Sequence, residues 1–162
     1  MRDDYECRGR KDHHASLRLW LRLLTCQQMI EQTIRSELRT RFATTLPRFD
    51  LLAQLERAPA GLKMNELSRR LMVTGGNVTA ITDQLAQESL VERVQVEGDR
   101  RATRIRLTAK GAQSFRKMAR QHEQWVIQAF SSLTDTQLLQ LHTLLGEVKT
   151  GLLISDTERQ AA

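Results

Sequence analysis

At 162 residues the chain has room for one domain with helical extensions, and a composition of 40% apolar and 27% charged residues excludes a globally disordered chain. The formal charge of +6 favours an acidic partner, nucleic acid or an anionic surface, without choosing between them. No apolar run approaches the roughly 20 residues that span a bilayer. The opening MRDDYECRGRKDHH lacks the apolar core of a secretory signal, and Cys7 and Cys26 imply no disulfide framework. The expectation is a cytoplasmic protein with no membrane partner.

Residues 1–11 carry mixed charge and no apolar period and read as a disordered tail. From His13 to about Thr40, apolar residues recur every three to four positions (Leu17, Trp20 and Leu21, Leu24, Ile30, Ile34, Leu38), the stripe of a long amphipathic helix. Thr45-Leu46-Pro47 is a helix start, and a second helix over about 46–57 places Leu46, Phe49, Leu52 and Leu55 on one face. Ala58-Pro59-Ala60-Gly61 ends it. A short third helix over 63–71 turns Met64, Leu67 and Leu71 inward. A fourth, capped by Thr74 and running to about Glu88, does the same with Val78, Ile81 and Leu85.

Residues 90–96 and 102–107 read as two strands, with Glu97-Gly98-Asp99 as the turn between them. Thr108 caps a helix to about Leu133 with Phe115, Met118, His122, Trp125 or Val126, and Ala129 as its stripe. Thr134 or Asp135 caps a last helix with Leu138, Leu141, Leu144 or Leu145, Val148 and Leu152 inward. From Ser155 the apolar pattern stops, and 155–162 reads as a second tail. The fold class expected is mainly α with a small β-hairpin, in the order α-α-α-α-β-β-α-α.

The third and fourth helices, joined by a short turn, match a helix-turn-helix, whose second helix enters the major groove N-terminus first. Its outward positions are Gly75, Gly76, Asn77, Thr79, Ala80, Thr82 and Asp83. Small, hydroxyl and amide residues suit close approach to base edges. Asn pairs with adenine, and a Thr methyl packs on the methyl of thymine. With Thr74, the two glycines would let backbone N–H groups meet phosphate at a helix N-terminus. On an isolated helix the same residues would be solvated, but here a basic hairpin follows. Arg100 and Arg101 sit at its tip, where long side chains reach a narrow minor groove. Asp99 is placed to hold one of them in a preset rotamer. Arg104 and Arg106 share a face of the return strand and either touch phosphate or pair with Glu92 or Glu97.

Asp99-x-Arg101, then five residues, Leu107-Thr108 and Gly111, resembles the wing signature of the MarR (multiple antibiotic resistance regulator) family. NELSRRLMVTGGNVTAITDQLAQESLVER resembles that family's helix-turn-helix, and the likeness extends over about residues 13–153. The resemblance implies a winged helix-turn-helix in which residues 12–45 and 108–154 form the dimerisation helices of a homodimer and 46–107 the DNA-binding lobe. It places Arg101 in the minor groove with Asp99 as its orienting partner, and Gly76, Asn77, Thr79, Ala80 and Asp83 on the recognition helix. Two departures stand out. Many members carry Arg where this chain has Ala80 and Gln84, and Ser89 replaces the usual glycine after the recognition helix.

The resemblance also implies an effector pocket between the helices and the DNA-binding lobe. Candidate lining residues are Trp20, Leu24, Phe49, Leu52 and Met118, with Arg18 or Arg22 to meet an anion; each apolar one reads equally well as core. LPRFDLLAQL with MVTGGNVTAITDQL is most similar to members that repress aromatic-acid catabolism, so an aromatic carboxylate or its CoA thioester is the expected effector. Alternatives are a regulator of drug-efflux or stress genes, and a winged-helix module that docks on an acidic protein.

His13, His14, His122 and His142 have no metal-ligand spacing, and His122, on an apolar stripe, reads as a core or interface imidazole. With a single tyrosine, Tyr5, redox sensing at Cys26 is not expected. No nucleophile triad, carboxylate pair or phosphate loop is in place. Neither an enzyme nor a cofactor is expected. The expected partner is double-stranded DNA with a pseudo-palindromic operator.

Overall fold

The computed structural model describes residues 14–96 and 99–161; for Val96, 99–102 and 155–161 it describes the backbone alone. The elements are α1 (Ala15–Phe42), α2 (Leu46–Glu56), β1 (Leu62–Lys63), α3 (Met64–Leu71), α4 (Gly75–Gln87), β2 (Val91–Val96), β3 (Asp99–Leu107), α5 (Ala109–Ala129) and α6 (Asp135–Ala161). The chain divides into a unit reaching to Glu123 and a second from Gln124 onward. No helix among the described residues is long and apolar enough to cross a membrane.

The first unit is built on the periodicity read above. Ile34 and Leu38 of α1, Phe49, Leu51, Leu52 and Leu55 of α2, Leu67 of α3, Val78 and Leu85 of α4, and Met118 of α5 are all buried, with Leu62, Leu90, Val91 and Ile105 from the sheet and its root. The N-terminal half of the α1 stripe behaves differently. Leu17 and Trp20 are more than half exposed, while Leu21, Leu24 and Ile30 are intermediate. Twenty-eight residues of α1 outrun what the unit can cover.

A three-stranded antiparallel sheet in the order β1-β3-β2 replaces the expected two-stranded hairpin. β1 pairs Leu62 with Ile105 and Lys63 with Arg104. Gly61 makes this approach possible. Its φ is +79°, and a Cβ there would stand 2.7 Å from the Ile105 carbonyl oxygen. Lys63, expected inside the third helix, is thereby extended, and its N–H donates to Glu66 Oε2 at 2.8 Å to start α3.

β2 and β3 pair from Val91↔Leu107 to Gln95↔Thr103, then step to Val96↔Asp99. The step leaves the backbone of Arg100, Arg101 and Ala102 bulged out of the ladder. The turn residues Glu97 and Gly98 lie outside the described residues, as does the proposed 1–11 tail.

Hydrogen bonds tie the end of α4 to the start of α5. Ser89 takes the left-handed conformation (φ +59°), and Leu90 N–H donates to Leu85 O at 2.9 Å. Leu90 O accepts from Thr108 N–H at 3.1 Å, and Thr108 Oγ1 donates to Ser89 O at 2.7 Å. Thr108 Oγ1 in turn accepts from Gly111 N–H at 3.0 Å, the N-cap expected of it.

In the second unit, Thr134 caps α6. Its Oγ1 accepts from Gln137 N–H at 3.3 Å while Gln137 Oε1 accepts from Thr134 N–H at 2.9 Å. The backbone of α6 continues to Ala161, past the Ser155 at which the apolar pattern ends, so the tail expected over 155–162 is helical for most of its length. The residues expected to face inward on α6 are exposed. Leu138, Leu141, Leu144, Leu145, Val148 and Leu152 all meet solvent in the single chain, as do Leu139, Leu153 and Ile154. The helix is apolar on more than one face, so no single stripe could be turned into a core.

Candidate nucleic-acid interface

α4 presents Thr74, Gly75, Gly76, Asn77, Thr79, Ala80 and Asp83 to solvent, as the sequence reading expects. Thr82 is a correction. It is fully buried, with its hydroxyl 3.9 Å from the Met64 sulfur, because it falls at i+4 from Val78 and three before Leu85 on the core stripe. The expected inner residue Ile81 is only partly covered.

Thr74 stands at the N-cap of α4 but makes no side-chain capping bond. The first-turn N–H groups of a thirteen-residue helix are thus left facing outward without a side-chain acceptor. Neither glycine is required by packing. A Cβ at Gly76 would meet nothing within 4 Å, and one at Gly75 only Ser68 Oγ at 3.9 Å. The small side chains therefore suit something that comes from outside.

The arginines near α4 are largely engaged within the protein. Arg93 of β2 binds Asp83 at 2.5 Å, joining α4 to β2. Asp83 thus serves as an internal partner as well as an exposed one. Arg106 pairs with Glu92 at 2.6 Å, one of the two outcomes left open for it. Arg104, a candidate phosphate contact, is partly buried and donates through Nη1 to Gly61 O at 3.0 Å, a backbone partner the sequence does not advertise. Arg48 of α2 reaches Glu88 at the end of α4 at 2.5 Å, and Lys110 Nζ donates to Glu88 O at 2.8 Å. The side chains of Asp99, Arg100 and Arg101 lie outside the described residues; their backbone is the start of β3 and its bulge.

A shallow groove runs beside the start of α4, lined by Asn65, Ser68 and Arg69 of α3, by Met72 in the turn, and by Thr74, Gly75 and Thr79. The α3 side of this groove escaped the sequence reading. Its signal is the polar outer face of KMNELSRRL, which carries no motif of its own.

The candidate effector residues do not gather around one cavity. Phe49, Leu52 and Met118 are buried core, and the Phe49 ring lies 5.4 Å from Phe115 and 4.9 Å from His122 between centroids. Burial holds the His122 imidazole below its ordinary pKa. Arg18, Trp20 and Arg22 are exposed and Leu24 is intermediate. In the second unit a separate concavity is lined by Phe130, Leu138, Leu141, His142 and Leu145. Cys26 is exposed on α1. Among the described residues no group of three or more His, Cys, Asp or Glu could hold a metal.

The MarR family model matches residues 44–102, from the end of α1 through α2, the helix-turn-helix and into the wing. Residues 44–102 are therefore similar to the winged-helix region of that family. The PecS transcriptional regulator of Dickeya dadantii is 30% identical over 106 residues, 64% of this chain and 64% of PecS, so the match spans just under two thirds of that relative's length. An uncharacterised regulator of Bacillus subtilis, YsmB, is 28% identical over 127 residues, 78% of this chain and 84% of YsmB. The fold is that of solved MarR-family regulators. AbsC of Streptomyces coelicolor superposes with a TM-score of 0.75 at 22% identity, covering 89% of this chain and 98% of AbsC. Sco3205 from the same organism, solved in complex with DNA, superposes with a TM-score of 0.75 at 23% identity, covering 89% and 91%. PecS and YsmB are both described as transcriptional regulators.

Proposed function

We propose that the chain is a ligand-responsive DNA-binding regulator that works as a homodimer, with α4 in the major groove and the β2–β3 wing at the adjacent minor groove. The observation that carries the reading is the division of α4. Val78, Thr82 and Leu85 are fully buried, while Gly75, Gly76, Asn77, Thr79 and Ala80 are exposed, small or polar, and not demanded by the fold. A second copy is supported by the exposed apolar surface of α6 and of the first turns of α1, larger than soluble monomers commonly leave to water. Arg101, in the bulge of β3, is the residue assigned to the minor groove, with Asp99 orienting it.

The finer reading is a repressor of a catabolic operon, released by an aromatic carboxylate or its CoA thioester. Its support is the likeness of LPRFDLLAQL with MVTGGNVTAITDQL to members of that kind, with Trp20 and Arg18 exposed on α1. A tenfold loss of operator affinity on ligand binding corresponds to about 1.4 kcal/mol of preference for the non-binding state.

Arg101→Ala tests the wing. Operator affinity measured by electrophoretic shift should fall by roughly 1–3 kcal/mol while sedimentation still reports a dimer. Unchanged affinity removes Arg101 from the interface. For the effector, aromatic carboxylates and their CoA thioesters should release the bound duplex; a panel of both that never does so returns the signal to another chemical class.

A further inference from the structure

The recognition helix of this chain carries no basic residue. GGNVTAITDQLAQ has one charge, Asp83, and that is paired with Arg93. A helix that enters a groove between two rows of phosphates needs cations beside it, because neutralised phosphates supply most of the salt-dependent affinity. The nearby arginines are largely committed elsewhere: Arg93 to Asp83, Arg106 to Glu92, Arg48 to Glu88 and Arg104 to Gly61 O. On α3, Arg70 is exposed but does not line the groove beside the start of α4. Arg69 is different. It is exposed, has no side-chain hydrogen bond or ion pair among the described residues, and lines the same groove as Thr74, Gly75 and Thr79.

We propose that Arg69 is the phosphate anchor of the helix-turn-helix, taking the place of the basic residues that α4 lacks. The inference rests on the DNA-binding reading and names a contact within it. The first helix of such a unit crosses the sugar–phosphate backbone, and a guanidinium can hold a phosphodiester through two parallel N–H donors. The amide nitrogen of Asn65 beside it and the uncapped N–H groups of α4 offer further donors to the same oxygens. An anion here also meets the positive end of the α4 dipole, so Arg69 and the helix terminus act on one phosphate.

A phosphate contact has a signature that a base contact lacks. In full-length protein, Arg69→Ala should reduce the slope of log affinity against log salt by about one, equally on a duplex selected from a random library and on sonicated genomic DNA. Arg69→Lys keeps the charge and should restore the slope while recovering only part of the affinity. Arg39→Ala, which removes an exposed charge from α1, should leave both slopes unchanged. The proposal fails if Arg69→Ala leaves the slope intact, or weakens only the selected duplex. If the unaltered protein binds neither DNA at low salt, the DNA-binding reading falls and this contact with it. Circular dichroism of each variant excludes unfolding as the cause.

Discussion

Gly111→Ala is a demanding test of how α5 packs on Leu90, between α4 and β2. A Cβ at Gly111 would stand 1.8 Å from Leu90 O and 2.8 Å from its carbonyl carbon, where real contacts do not fall below 3.0 Å. The obstacle is backbone and cannot rotate away. Leu90 O is held by Thr108 N–H at 3.1 Å and Thr108 Oγ1 at 3.3 Å, and Leu90 N–H by Leu85 O at 2.9 Å. Making room must separate α5 from Leu90 and stretch these bonds. Overpacking costs about 1–3 kcal/mol, and each hydrogen bond lost adds about 1. Alanine's better helix propensity returns about 1 kcal/mol. The net is a loss of about 2–4 kcal/mol, which for a chain of this length lowers Tm by roughly 6–12 °C. Thermal unfolding at fixed protein concentration measures it. A change under about 1 kcal/mol would refute the close packing of α5 on Leu90.

Gly76→Ala, whose Cβ meets nothing, should raise stability by about 0.4–1 kcal/mol yet weaken operator binding; a variant that binds DNA unchanged removes Gly76 from the interface. Ser89→Gly should also stabilise, by up to about 1 kcal/mol, because a left-handed φ of +59° strains serine and not glycine; a fall in Tm would show that the Ser89 side chain does more than tolerate the turn. His122 is held neutral by burial, so its folded pKa lies below 6.5 and the unfolded chain takes up the proton first. Its contribution is therefore complete above pH 6.5 and is lost as pH falls through the folded pKa. His122→Phe should flatten that part of the stability profile between neutral and mildly acidic pH, and an unchanged profile would assign the dependence to other groups.

The long elements were legible because their apolar residues recur at helical spacing over many turns, as at Val78 and Leu85 or Phe49 and Leu52. Thr82 was misplaced because hydroxyl residues suit either face, and only its phase relative to Val78 and Leu85 decides. β1 was missed since two residues carry no alternation; Leu62 and Lys63 are extended because β3 is there to pair with them. The partners of Arg93, Arg104 and Arg48 lie 10, 43 and 40 residues away, distances at which charge pattern alone selects nothing. On α6, sequence periodicity identified apolar residues but not what covers them. In the proposed homodimer a second copy covers them, a contact that one chain's pattern cannot express.

The central claim is that α4 and the wing read duplex DNA, and selection from a random duplex library followed by affinity measurement across salt concentrations tests it most directly. The account predicts recovery of a pseudo-palindrome with half-sites about one helical turn apart, bound with an affinity that falls steeply as salt rises. Enrichment of no sequence, with no duplex bound at low salt, would contradict it.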